Sequence, residues 1–266
     1  MTPPQEPGPA VPLFDVAGKS VVVTGGTRGI GLMIARGFLQ AGARVIISSR
    51  KAQACERARD ALSDSGDVSA VAADLSTAGG VETLSRFVAD EFDRVDVLVN
   101  NAGATWGAPV DEFPQSGFDK ILNLNITSVF EVTQALLPML RAAASDGPAR
   151  VINIGSIDGI VVSHTDNFSY GASKAAVHML TRKLAATLAP EQITVNAIAP
   201  GPFPSKMTAF MLDDPDMRSR VEAGVPLGRV GTPDDIAGTA IFLSSRAGAY
   251  LTGVVIPVDG GMSGTR

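Results

Sequence analysis

The sequence has little of what a disulfide framework, a metal cluster or a membrane span requires. Its one cysteine, Cys55, excludes an intramolecular disulfide and a thiolate metal cluster. Two histidines, His164 and His178, are too few for a His-rich metal site, so no metal is expected. Nowhere do about 18 apolar residues run together, so no membrane-spanning helix is expected. The N-terminal stretch to Pro12 lacks a basic patch and an apolar core and is broken by prolines. It does not read as a signal peptide, and residues 1–13 are expected to form a flexible tail on a cytoplasmic protein. Basic charge is also scarce: 22 Lys and Arg against 27 Asp and Glu leave a net charge of −5, scattered along the chain. A nucleic-acid partner would need a basic face, so none is expected.

Apolar residues, by contrast, are plentiful, at 45% of 266 residues against 18% charged, enough for a large core. From Lys19 onward short Val/Ile-rich runs alternate with longer amphipathic stretches. The runs are Ser20 to Thr24, Arg44 to Ser48, Val68 to Ala72, Val95 to Asn100, Arg150 to Gly155, Thr194 to Ala199 and Val254 to Val258. Their continuous apolar character predicts strands covered on both faces. Between them helices are predicted at Ile30 to Ala41, Ala52 to Ser63, Gly80 to Phe92, Phe118 to Arg141, Ser169 to Leu188 and Pro233 to Leu243. The alternation predicts one doubly wound α/β domain over 14–266, of Rossmann type, with a seven-stranded parallel sheet and helices on both faces. The Pro- and Met-bearing stretch 201–228 breaks the rhythm and is expected to be a loop acting as a substrate lid.

Between the first strand and first helix lies Thr24-Gly25-Gly26-Thr27-Arg28-Gly29-Ile30-Gly31. A side chain at Gly25 or Gly29 would hinder the backbone's approach to a dinucleotide pyrophosphate, and Gly31 is expected to let the helix pack closely. A plain strand-to-helix connection is the bland alternative. Downstream, the second strand ends in Ser48-Ser49-Arg50-Lys51, where an NAD site would place an acid against the ribose 2′-hydroxyl. A guanidinium there favours a 2′-phosphate, and Arg28 would close on it from the other side, so NADP(H) is the expected cofactor. Asp74 and Leu75, after the third strand, would lie at the adenine edge, with Asp74 equally suited to cap a helix.

Tyr170 and Lys174 stand four residues apart, on one face of a predicted helix. The Lys cation should lower the phenol's pKa from its ordinary value near 10 toward working range. Ser156, just past the fifth strand, is positioned to hydrogen-bond a substrate oxygen.

Together the Gly-rich turn, Asn100-Asn101-Ala102-Gly103, Asn125, Ser156, Tyr170, Lys174 and Pro200-Gly201 resemble, in order and spacing, the short-chain dehydrogenase/reductase family, over about Phe14 to Gly261. The resemblance implies that Tyr170 is the proton donor in carbonyl reduction and the base in the reverse direction. It implies that Ser156 polarises the carbonyl, that Lys174 binds the nicotinamide ribose and tunes Tyr170, and that Asn125 holds a relay water. A helix-bending polar residue is the alternative for Asn125. Asn101, Ala102 and Gly103 would line the cofactor, and Pro200 and Gly201 would cover the nicotinamide.

Within the family the chain looks most like the 3-oxoacyl reductases, through Asn101 to Gly107, Leu124 to Phe130 and Ile198 to Thr208. An acyl-thioester substrate is implied, with Phe203, Met207, Phe210, Met211, Leu212 and Trp106 either covering the acyl chain or packing the lid. Carrier-dependent relatives often carry arginines where this chain has Ala144 and Glu191, which puts an acyl carrier protein in doubt as partner. The C-terminal segment 250–261 looks like the edge through which relatives form homotetramers. Two other functions stay open: an NADP-dependent dehydrogenase of a polyol, sugar acid or small secondary alcohol, and a catalytically silent NADP-binding regulator.

Overall fold

The computed structural model describes residues 12–163 and 165–265, so most of the expected tail over 1–13 lies outside the described residues. Seven strands form one fully parallel sheet: β1 (Ser20–Thr24), β2 (Arg44–Ser49), β3 (Val68–Ala72), β4 (Val97–Asn100), β5 (Ala149–Ile154), β6 (Ile193–Pro200) and β7 (Val255–Val258). Their spatial order is β3-β2-β1-β4-β5-β6-β7. The chain therefore winds outward from β1 in one direction and from β4 in the other. That reversal opens a crevice beyond the C-terminal strand ends, the usual ligand position in open α/β sheets.

Every residue of β1, β5 and β6 is buried, as strands covered on both faces require. Alternate side chains supply two cores. Val21, Val23, Val45 and Ile47 meet Ile34 and Phe38 of α1 (Gly29–Gln40), Leu62 of α2 (Ala52–Leu62) and Ile236 of α9 (Pro233–Ser244). On the other face Val22, Ile46 and Leu98 meet Leu84 and Val88 of α3 (Ala78–Glu91), Leu136 and Leu140 of α5 (Ser128–Ala143), and Ala185 of α6 (Phe168–Leu188). All seven expected strands are present, with ends shifted by at most two residues.

Two expectations are corrected. The helix expected over Phe118 to Arg141 begins earlier and is interrupted: α4 (Gln115–Leu122) runs into a π-turn at Asn123–Thr127 before α5 resumes the α-helical repeat. The period of 3.6 does not reveal the extra residue, which Asn125 exploits to turn inward. The stretch 201–228 is not a bare loop, because α7 (Ala209–Leu212) and α8 (Pro215–Ala223) form within it. Asp214 caps α8 by accepting from the Met217 N–H at 2.9 Å, with Pro215 in the first turn. Among the described residues no helix is long and apolar enough to cross a membrane.

Candidate active site

Because the strands are parallel, their C-terminal ends bring the sequence-distant candidates to one edge. Gly25 follows β1, Arg50 follows β2, Asp74 lies beyond β3, Asn101 follows β4, Ser156 follows β5 and Pro200 ends β6.

The turn from β1 into α1 is built to leave its amides available. Gly25 and Gly29 have φ of +64° and +53°, a region that side chains disfavour. The α1 N-cap, Arg28, makes no side-chain cap and the first turn holds no acid. By contrast, α3 is capped by Thr77 Oγ1 and α9 by a Thr232–Asp235 box. An uncapped helix N-terminus presents N–H groups and the positive end of the helix dipole, which suits a pyrophosphate. Thr27, Ile30 and Gly29 are half-buried along this turn.

Asn101 is bonded to the Gly-rich turn itself. Its Nδ2 donates to the Thr24 and Gly25 carbonyls at 2.9 and 3.1 Å, and its backbone N–H donates to Thr24 Oγ1 at 2.9 Å. Thr24 Oγ1 also accepts the Ala102 N–H at 3.0 Å. Asn101 thus ties β4 to the Gly-rich turn, and Thr24, the first residue of that turn, is the other half of the tie. A Cβ on Gly31 would collide with Asn101 Nδ2, so the glycine makes room for this tie rather than for helix packing alone. Asn100 is buried in the sheet, where Nδ2 donates to Thr133 Oγ1 and Asn153 Oδ1 at 3.0 Å each.

Around the expected 2′-phosphate position, Arg28 and Arg50 are exposed and neither forms an ion pair among the described residues. Ser49, half-buried at the end of β2, gives its carbonyl to the Ala73 N–H at 2.8 Å. Asp74 does not cap α3. Its Oδ1 accepts from the Ser76 hydroxyl and N–H at 2.7 and 3.1 Å, bonds that hold its carboxyl below the ordinary range, with the Arg50 charge adding to them. Leu75 is buried in the core, leaving only its backbone for an adenine edge.

On the opposite side of the crevice, Asn125 is 1% exposed and fully engaged. Its Oδ1 accepts the Ala104 N–H at 2.9 Å, while Nδ2 donates to the Ala104 carbonyl and Ser173 Oγ at 2.9 Å each. The side chain therefore clamps the loop after β4 against α6. Gly103 completes this corner: a Cβ there would stand 3.2 Å from Asn125 Oδ1 and 3.7 Å from Lys174 Nζ.

Lys174 is buried, and Nζ donates to the Ile154 carbonyl at 2.7 Å. It lies 5.5 Å from the centroid of the Tyr170 ring. Burial lowers its pKa to about 8. The phenol of Tyr170 moves the other way, up to about 12, through burial first, against the hydrogen bond from Ser156 and with the nearby Asp158 charge adding to the rise. The expected lowering by Lys174 is thus overturned, since desolvation of the phenolate outweighs a cation already bound to a carbonyl. Ser156 itself is 7% exposed and accepts the Asp158 N–H at 3.1 Å. His178, one turn beyond Lys174, is buried against this segment: a Cβ on Gly155 would collide with its Nε2.

Above the crevice, Pro200 pairs in register with Val258, and the Gly201 N–H donates to the Val258 carbonyl at 3.0 Å. The lid residues divide into two groups. Phe203 is 2% exposed against Gly231, and Leu212 is buried, so these anchor the segment. Met207 and Phe210 are exposed, and Met211 is half-buried. Ser205 reaches over the cofactor turn, where a Cβ on Gly29 would stand 3.1 Å from Ser205 Cβ. Trp106 is committed to α4, with Gly117 beneath its ring and Lys120 Nζ 5.3 Å from the ring centroid.

Comparison with known proteins agrees with this arrangement. The family model described as enoyl-(acyl carrier protein) reductase matches residues 25–263. The rhamnolipids biosynthesis 3-oxoacyl-[acyl-carrier-protein] reductase of Pseudomonas aeruginosa is 51% identical over 251 residues, 94% of this chain and 98% of that one. The 5-keto-D-gluconate 5-reductase of Escherichia coli (strain K12) is 36% identical, over 94% of this chain and 97% of that one. The solved Pseudomonas aeruginosa RhlG/NADP active-site complex superposes with a TM-score of 0.92 at 49% identity, covering 96% of this chain and all of that one.

Proposed function

The chain belongs to the short-chain dehydrogenase/reductase family as an NADP(H)-dependent oxidoreductase, and on that premise we propose that it reduces the ketone of a 3-oxoacyl thioester to the 3-hydroxyacyl product. The observation that carries the chemistry is the meeting of Ser156, Tyr170 and Lys174 beside an uncapped α1 N-terminus. The residues that would hold the cofactor are Gly25, Thr27, Gly29, Ile30 and Gly31 at the pyrophosphate and Ser49, Arg28 and Arg50 at the 2′-phosphate. Asp74 and Leu75 would hold the adenine edge, and Ala102, Gly103, Lys174, Pro200 and Gly201 the nicotinamide half. When bound, NADPH supplies the hydride. Ser156 donates to the substrate carbonyl oxygen and orients it, and Tyr170, neutral because its phenolate is desolvated, gives that oxygen its proton. Lys174 holds the strand carbonyl beneath and keeps a positive charge next to the phenolate that forms. Asn125 fixes the loop that closes this corner.

An acyl substrate is supported by exposed apolar side chains that flank the reacting pair. Ile160 and Val162 follow Ser156, Phe168 precedes Tyr170 by two residues, and Met207 and Phe210 project from the lid segment 201–228. A coenzyme A handle is favoured over a carrier protein. Glu191 binds Arg141 with both oxygens, at 2.5 and 3.1 Å, so the arginine at the end of α5 is already paired and offers an acidic carrier no free cation. A homotetramer is proposed through β7, which lies at the sheet edge next to fully exposed Tyr250.

The test is NADPH oxidation with acetoacetyl-coenzyme A, longer 3-oxoacyl-coenzyme A esters and their carrier-protein counterparts. Turnover that rises with acyl length supports the reading. Failure of every thioester, with NADP⁺ reduced by gluconate or polyols, replaces it with the sugar-acid activity that the Escherichia coli relative carries in its name.

A further inference from the structure

A carboxylate that neither gives nor takes the proton in the reaction proposed above stands beside the reacting groups. Asp158 lies two residues past Ser156, and its N–H donates to Ser156 Oγ at 3.1 Å. Its Oδ2 accepts from Asn167 Nδ2 at 2.9 Å. The Asn167 carbonyl in turn accepts the N–H groups of Tyr170 and Gly171 at 2.8 and 3.2 Å. A Cβ on Gly171 would stand 3.3 Å from the Asp158 carbonyl oxygen, so backbone and side chain both press on the first turn of α6. Asp158 thereby brackets the two residues that meet the substrate oxygen.

The bracket needs an acceptor, which an amide oxygen would supply equally well. What a carboxylate adds is charge. Among the described residues Asp158 has no ion-pair partner, since Asn167 is neutral. The charge is felt at the phenol, whose pKa it helps to raise. It acts equally on any anion brought to the same oxygen-binding position.

We propose that Asp158 determines specificity, its negative charge turning away ketones that carry a carboxylate near the reacting carbonyl while its backbone N–H holds Ser156 and its side chain holds Asn167 at the start of α6. This rests on the ketone-reductase reading of the site. A 3-oxoacyl thioester or ester is neutral around its ketone, whereas a free 3-oxo acid or a keto-sugar acid brings an anion within a few bonds. At the modest effective dielectric of a partly exposed cleft, two like charges so placed cost roughly tenfold in kcat/KM.

The matched probes are ethyl acetoacetate and acetoacetate, which differ in charge at nearly constant shape, assayed with NADPH. The wild type is expected to favour the ester, with added salt narrowing the preference. Asp158→Asn keeps the acceptor for Asn167 and removes the charge, and is expected to raise the anion-to-ester ratio of kcat/KM about tenfold, toward what removal of a single nearby like charge allows. Asp158→Ala, which also opens the bracket, is expected to show the same ratio with a lower kcat on both probes. A ratio unmoved by Asp158→Asn, or a wild-type preference for the anion, overturns the proposal. If neither acetoacetyl probe is turned over, the acyl reading stands or falls on the 3-oxoacyl-coenzyme A esters. The charge effect is then read from a neutral and anionic pair of whichever ketone is reduced, and the salt dependence of the wild type needs no variant to fold.

Discussion

Lys174 gives its ammonium to the Ile154 carbonyl at 2.7 Å and not to Tyr170, whose ring centroid lies 5.5 Å away. A helical spacing of four puts the two side chains on one face but does not choose their partners. The strand carbonyl captures the cation, and the phenol, desolvated beside Ser156 and Asp158, stays protonated with a pKa pushed up to about 12. The resting site therefore stores its proton on Tyr170, the state that carbonyl reduction consumes.

Tyr170→Phe is expected to lower kcat for ketone reduction by roughly a hundred- to ten-thousandfold, the span typical of removing a positioned acid. NADPH affinity, read by quenching or calorimetry, should stay within a few-fold. In the wild type the reductive rate should be flat from pH 6 to 8, while alcohol oxidation, which needs the phenolate, rises with pH. An oxidative rate that falls over that range would contradict the protonated resting state.

Stability of the cofactor-free protein should rise and then fall at alkaline pH. Lys174 has its pKa lowered from 10.5 to about 8, so between those values the unfolded chain binds the extra proton and folding gains with pH. Tyr170 has its pKa raised from 10.0 to about 12, so above pH 10 the folded state holds a proton the unfolded chain has released, and stability is lost. Thermal melts at closely spaced pH values read both slopes. Lys174→Met should remove its part of the rise, and Tyr170→Phe the corresponding part of the fall.

Arg28→Ala and Arg50→Ala should each raise the KM for NADPH about ten- to a hundredfold, as the loss of a charge-assisted hydrogen bond implies, with little change in KM for NADH. Both guanidiniums are exposed, so neither change should lower Tm appreciably. Equal losses with the two cofactors would show that the arginines do not read the 2′-phosphate.

The lid should separate into anchor and contact residues. Phe203, 2% exposed, is expected to cost about 3 kcal/mol or more of stability on truncation to alanine. Phe210, 68% exposed, is expected to change stability by no more than about 0.5 kcal/mol as serine. Phe210→Ser should nevertheless lower kcat/KM for long 3-oxoacyl thioesters more than for acetoacetyl-coenzyme A. Equal effects at all chain lengths would remove the exposed side chain from acyl recognition.

The sequence by itself determined the sheet, the Gly-rich turn at its edge and the set of candidate reacting residues. Alternation of Val/Ile runs with amphipathic stretches leaves a parallel sheet as the way to bury both, and a parallel sheet gathers the residues that follow its strands, such as Gly25, Asn101 and Ser156, at one edge. The tertiary structure alone decided what those residues bind. The π-turn at Asn123–Thr127, the tie of Asn101 to Thr24, the packing of Trp106 on Gly117 and the division of the lid between Phe203 and Phe210 all depend on partners far away in sequence. The same holds for the proton on Tyr170. Local spacing predicts a phenol eased toward its anion by Lys174, but a pKa follows the surroundings of a group, and only the folded chain sets Ile154, Ser156 and Asp158 around that pair.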